Sequence, residues 1–275
     1  MWSKVKTRLI SAVVLIALVI IALFFAPPLA VGLLVSGVTY AVMYELTKVF
    51  NLKEKRILTT VNFIFATIFM ALSYIETAPA LKILAPAVVF YIMVLLTIAV
   101  IDNERVKFSD VTTSVFLVFY AVALLVHLTY LRKMENGLAL LVLALLGAYA
   151  TDTGAYFTGL TLGKHKLIEK ISPNKTVEGA IGGVLLTVVI FVIYGLVMKN
   201  LGHTVNFLYL LILSVLCAVT AQLGDLSASL MKRSFQVKDF GNIIPGHGGM
   251  VDRLDSLMFV APIVYHFITF LPVIK

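Results

Sequence analysis

Apolar residues run through this chain in long blocks, and polar residues collect in the short gaps between them. Blocks of about 18–20 mostly apolar residues suffice to cross a bilayer as helices. Nine such blocks fall at 9–26, 29–47, 57–76, 81–101, 111–131, 138–159, 179–198, 207–230 and 257–274. Pro27-Pro28 separates the first two blocks with a turn that helix cannot continue through. The block from Leu9 to Ala26 exceeds the about 7–15 residues of a signal-peptide core, so it is expected to be retained as a first helix. The pattern predicts an all-α, polytopic membrane protein. All the connections are short except 160–178 and 231–256.

Composition agrees with this pattern. Hydrophobic residues make up 61% of the 275 positions and charged residues 13%, against about 45–50% and about 25% in soluble domains. Cys217 is the only cysteine and lies in the eighth block, which excludes an internal disulfide and fits a small buried hydrophobe. Charge placement orients the chain. If the N-terminus is cytoplasmic, only Lys82, Arg132, Lys133, Lys199 and Lys275 among the 22 lysines and arginines fall outside. That asymmetry follows the positive-inside rule. The net charge of +8 therefore reflects topology and phosphate contact rather than nucleic-acid binding.

Residues 1–137 carry few charges within their blocks and are expected to form a membrane scaffold, open to lipid or to a homodimer interface. Residues 138–275 hold nearly all the candidate chemistry and form one structural unit with the scaffold. On the eighth block Gln222, Asp225, Ser229 and Lys232 follow an i, i+3, i+7, i+10 spacing. At about 100° per residue they share an arc of roughly 80°. A carboxylate within a membrane helix is costly and marks a functional candidate, here Asp225. A helix starting near Met250 would carry Asp252 and Asp255 on one face at its N-terminus.

Between these elements lie Lys232, Arg233, Lys238 and Arg253, with Gly246, His247, Gly248 and Gly249. The glycines could present amides to a phosphate, and His247 is read as a further phosphate contact. Asp225 and Asp252 are read as holding a Mg²⁺, which favours carboxylates, water and substrate phosphates. Asp152 lies in the sixth block, and Ser172, Lys175, Thr176 and Glu178 lie in the loop after it, an apt grip for a nucleotide or phosphate. Ser172-Pro173 also reads as a helix N-cap followed by a first-turn proline, and Glu178 as capping or functional. His127 and His266 are expected to pack or to bond between helices, and Glu45 to be an interface residue. His165 and His203 lack metal-ligand spacing.

The run Ser229, Lys232-Arg233, Lys238-Asp239, Gly241, Pro245, His247-Gly248-Gly249 and Asp252-Arg253-Leu254-Asp255 resembles the signature of the phosphatidate cytidylyltransferases, or CDP-diacylglycerol synthases. The upstream S-P-N-K-T-V-E-G at 172–179 is similar to that family's second shared segment. The resemblance covers about the last 130 residues; the first five blocks are family-like only in being hydrophobic. It implies a membrane enzyme of the bacterial cytoplasmic membrane, with its site at the cytoplasmic face. Such an enzyme converts CTP and phosphatidate into CDP-diacylglycerol and pyrophosphate and requires Mg²⁺. On that expectation Asp225 and Asp252 hold the metal, with Asp152 and Asp255 as added ligands or supports and a second cation left open. Asp239, Ser229 and the basic residues complete the catalytic and substrate-binding set. Two other classes fit less well. A coupled transporter would cluster its polar groups near the midplane, and the aspartate spacing of a CDP-alcohol phosphotransferase is absent.

Overall fold

A computed structural model describes residues 27–75, 78–244 and 248–274. The first apolar block, with Lys4, Lys6 and Arg8, and the Pro245-Gly246-His247 stretch lie outside the described residues. Nine α-helices account for most of what is described: α1 (Pro28–Val49), α2 (Arg56–Tyr74), α3 (Ala78–Ile101), α4 (Phe108–Val118), α5 (Leu124–Lys133), α6 (Gly137–Leu162), α7 (Val177–Asn200), α8 (Phe207–Ser234) and α9 (Val251–Phe270). A π-helical turn, Phe119–Ala123, joins α4 to α5 into one rod of 26 residues.

Seven of the described helical segments are long and apolar enough to cross a membrane, which makes the chain a polytopic helical membrane protein. Many large apolar side chains face outward along these rods, Leu33, Phe90, Leu160 and Leu185 among them. With lipid as the surrounding medium, such exposure carries no hydrophobic penalty. The expected span at 257–274 begins earlier, at Val251; its first turn carries Asp252 and Arg253, with Asp255 in the turn that follows. Its 20 residues would reach about 30 Å, yet it is not among the seven.

The expectation of a purely helical chain needs one correction. The 160–178 connection contains an antiparallel hairpin, β1 (Lys166–Ile168) with β2 (Ser172–Thr176). Ser172-Pro173 is therefore strand and not a helix cap. Proline is tolerated because a two-stranded ladder has only edge strands. The true N-cap of α7 is Thr176, whose Oγ1 accepts from Gly179 N at 3.1 Å.

The most extensive packing is between α6 and α7. A Cβ on Gly154 would come within 2.8 Å of Gly182 O and 3.1 Å of Gly183 Cα, so small residues let these two backbones touch. Thr151 and Thr187 share a buried hydroxyl bond of 2.7 Å in the same seam. Helices α8 and α9 then pack on this pair and on each other. The first half closes against α9 through α5, where His127 Nε2 meets His266 Nε2 at 3.2 Å while His127 Nδ1 lies 2.6 Å from Ala123 O. These histidines make the interhelical bond expected of them. Cys217 is fully buried.

Candidate active site

A cavity of about 530 Å³ opens between α6, the hairpin, α7 and α8. Asp152, Asp225, Lys175, Ser172, Thr176 and Gln222 supply its polar wall. Tyr156 and Leu160 belong to the lining too and are 64% and 70% exposed, which gives the polar cavity an apolar rim. The close seam of α6 and α7 brings Asp152 opposite the start of α7. The hairpin folds over the cavity because Arg233 Nε donates to Ile171 O at 3.3 Å and Lys175 Nζ pairs with Asp225 Oδ2 at 2.5 Å.

The carboxylates arrive from three helices. Ser256 Oγ donates to Asp152 Oδ1 at 3.0 Å, tying α9 to α6. Asp255 is buried, and its Oδ1 accepts from Ser256 N at 2.9 Å. A Cβ on Gly224 would collide with the Asp255 carbonyl oxygen, so this glycine allows α8 to press against α9 beside Asp225. Asp152, Asp225 and Asp255 are near enough to repel one another. A polar stripe on α8 was expected, and its members serve different neighbours. Gln222 Nε2 donates to Ala180 O on α7 at 3.2 Å, Asp225 faces Lys175, and Lys232 turns to α9. Ser229 is half-buried between them.

Asp252 sits in another environment. Its Oδ1 pairs with Lys232 Nζ at 2.7 Å, and its Oδ2 accepts from Phe240 N at 2.9 Å and Gly249 N at 3.2 Å. With the side chain 8% exposed, it acts as a clasp for the 231–256 segment. The Gly249 amide is thus taken by an internal carboxylate. Gly248 adopts a positive φ of 87° and accepts from Ile244 N through its carbonyl. Lys238, Asp239, Arg233 and Arg253 are exposed around this clasp. Glu178 binds Lys164 N, His165 N and His165 Nδ1, holding the turn into the hairpin. His247 lies outside the described residues.

The carboxylate missed from sequence is Glu45 of α1. It is 1% exposed, and its two oxygens accept from Met250 N at 2.9 Å and Val251 N at 3.0 Å. It is therefore buried and partnered within the protein, and the half of the chain read as scaffold reaches the signature segment directly. Phe50 adds a second contact there, 4.7 Å from Phe235 between ring centroids. One signal was available: a carboxylate in an otherwise apolar block.

The donor set suits a hard cation. Among the described residues no three or more His, Cys, Asp or Glu side chains form a ready-made metal cage. Mg²⁺ does not demand one, since it keeps waters and takes one or two carboxylates together with substrate phosphates. Asp225 fits that pattern, with Asp152 and Asp255 nearby and Asp252 held at the lysine-rich edge.

Carboxylates from separate helices, lysines paired to them and an apolar rim suit the handling of phosphates at a membrane, and relatedness points the same way. The model of the "Cytidylyltransferase family" matches residues 6–271. A phosphatidate cytidylyltransferase of Bacillus subtilis is 32% identical over 269 residues, 96% of each chain. One of Haemophilus influenzae is 33% identical over an alignment of 284 residues, covering 96% of this chain and 99% of its own. One of Staphylococcus haemolyticus is 38% identical over 171 residues, 62% of this chain and 64% of its own. Since the match runs through both halves, and so takes in Glu45 as well as the signature segment, the chain belongs to the cytidylyltransferase family.

Proposed function

We propose that this enzyme transfers the cytidylyl group of CTP to phosphatidate, giving CDP-diacylglycerol and pyrophosphate. The observation that carries the reading is the polar cavity with an apolar rim, walled by Lys175, Asp225 and Asp152. A water-soluble triphosphate and a lipid phosphate can meet there without the lipid leaving the bilayer.

The chemistry asks little acid–base help. A phosphomonoester has a second pKa near 6, so the phosphatidate oxygen is largely ionised at neutral pH. That oxygen attacks the α-phosphorus of CTP in line. The new P–O bond forms as the bond to the bridging oxygen of the β-phosphate breaks, and pyrophosphate leaves with those electrons. No proton need be removed. Catalysis reduces to positioning and to neutralising charge.

The residues divide this work. Asp225, with Asp152 and Asp255 beside it and Asp252 at the edge, would hold Mg²⁺. When bound, the ion supplies charge neutralisation between the phosphates. Lys175 and Lys232 now rest on Asp225 and Asp252. Phosphate oxygens are acceptors at least as good, so the Lys175 ammonium can pass to substrate, with Lys232 on its fixed aspartate and Arg233, Lys238 and Arg253 completing the positive surface. Ser172 and Thr176 offer hydroxyls at the hairpin. The reading includes a cytoplasmic N-terminus, nine spans counting 9–26 and α9, and a site at the cytoplasmic face of a bacterial inner membrane. The charge asymmetry along the chain supports it.

The test uses membranes containing the protein, labelled CTP and phosphatidate. Labelled CDP-diacylglycerol should accumulate with equimolar pyrophosphate, and EDTA should stop both until Mg²⁺ is restored. Full turnover in EDTA would remove the metal from the scheme, and CTP consumption without a lipid product would overturn the acceptor.

A further inference from the structure

We propose that Glu45 is a positioning residue for the transfer reaction: its carboxylate fixes the start of α9, and with it the segment from which Asp252 and Asp255 project. This rests on the reading above that the 231–256 segment takes part in the chemistry.

The first amides of a helix lack the usual partner four residues back; at α9 Arg253 N bonds to Met250 O at 3.1 Å, but Met250 offers no capping side chain, and its own amide and that of Val251 are met from elsewhere. Glu45 meets them from α1, one oxygen to each of Met250 N and Val251 N. An anion at the positive end of a helix is favoured, which offsets part of the cost of burying this carboxylate. A serine or asparagine at 250 would reach the amides of Asp252 or Arg253, not the two that Glu45 holds. What the remote carboxylate adds is a fixed position for the helix start relative to α1.

Two glycines show how closely that position is set. A Cβ on Gly241 would lie 2.5 Å from Glu45 Oε1, and one on Gly249 2.7 Å from Oε2. The carboxylate is boxed by main chain on both flanks. Gly249 also donates to Asp252 Oδ2, as does Phe240, the residue before Gly241. Glu45 and Asp252 therefore hold the same two stretches of chain, 240–241 and 249–251, so a displacement of one is passed to the other. Since Asp252 carries Lys232, the grip extends to a lysine proposed to serve phosphate.

The test compares the detergent-purified full chain with Glu45→Gln, Glu45→Ala, Gly241→Ala and the double variant Glu45→Ala/Gly241→Ala. Glu45→Ala should lower kcat about 10²-fold, the loss that follows a displacement near 1 Å, while the KM for CTP changes less than about threefold. Glu45→Gln keeps one acceptor oxygen and should recover part of that loss. Gly241→Ala should resemble Glu45→Ala, because the new methyl evicts the carboxylate. In the double variant it should add little, because the space is then free.

Hydrogen exchange supplies the readout independent of activity. The Met250 and Val251 amides should exchange at least about tenfold faster in Glu45→Ala, with α6 and α7 unchanged. Unchanged exchange at these amides, or multiplicative losses in the double variant, would overturn the proposal alone. Faster exchange with unimpaired kcat would overturn it together with the assignment of chemistry to the segment.

Discussion

The two lysine–aspartate pairs at this site share a composition and differ in surroundings. Lys175–Asp225 spans β2 and α8 at the cavity wall, with side chains 24% and 32% exposed and, among the described residues, no main-chain amide on the carboxylate. Lys232–Asp252 spans α8 and α9, and its carboxylate also holds two main-chain amides at 8% exposure. The first pair can be exchanged for other partners at small cost, because a half-exposed ion pair contributes only about 0–1 kcal/mol. The second cannot, because removing one member of a buried, hydrogen-bonded pair leaves polar groups stranded. The same chemistry is thus kept loose where ligands would enter and tight where the loop must hold its shape.

Substitutions can break or sharpen that contrast. The largest effect is expected for Asp225→Asn, which should reduce turnover about 10²–10³-fold while the thermal midpoint in detergent stays within about 2 °C of the parent. A midpoint lowered as far as turnover would make Asp225 structural. Asp252→Ala should do the reverse in proportion, costing about 2–4 kcal/mol of stability and unlocking the Phe240 and Gly249 amides to exchange, with activity lost as a consequence. Equal midpoints for the two variants would dissolve the distinction. Thr176→Ala removes the α7 cap at the cavity floor and should cost about 1 kcal/mol, read as a modest drop in midpoint and a raised KM for CTP. His127→Leu, far from both pairs, should change stability by about 0.6 kcal/mol and leave turnover alone.

Much of this was legible in the chain. The apolar blocks locate α1 to α8 to within a few residues, because membrane helices leave a signal as long as the bilayer is thick. Asp225 stands out for the same reason: a carboxylate in such a block is expensive. A helix start near Met250 entered only as a condition on the aspartates that follow it, because the apolar block itself begins at 257. The hairpin was not legible, since Ser172-Pro173 before a helix carries two meanings and only the pairing of Lys166 with Thr176 decides between them. Glu45 was passed over because nothing near it in sequence shows its partners, which lie more than two hundred positions away. The exchangeable and fixed lysine pairs look alike on paper. Their difference arises from main-chain amides, which every residue but proline possesses and no sequence pattern marks.

That separation of 205 positions between Glu45 and Met250 bears on biogenesis. The anchor for α9 is synthesised well ahead of its guest. A chain interrupted before Met250 would therefore carry the seat without the motif that it receives, its carboxylate left without those two amides.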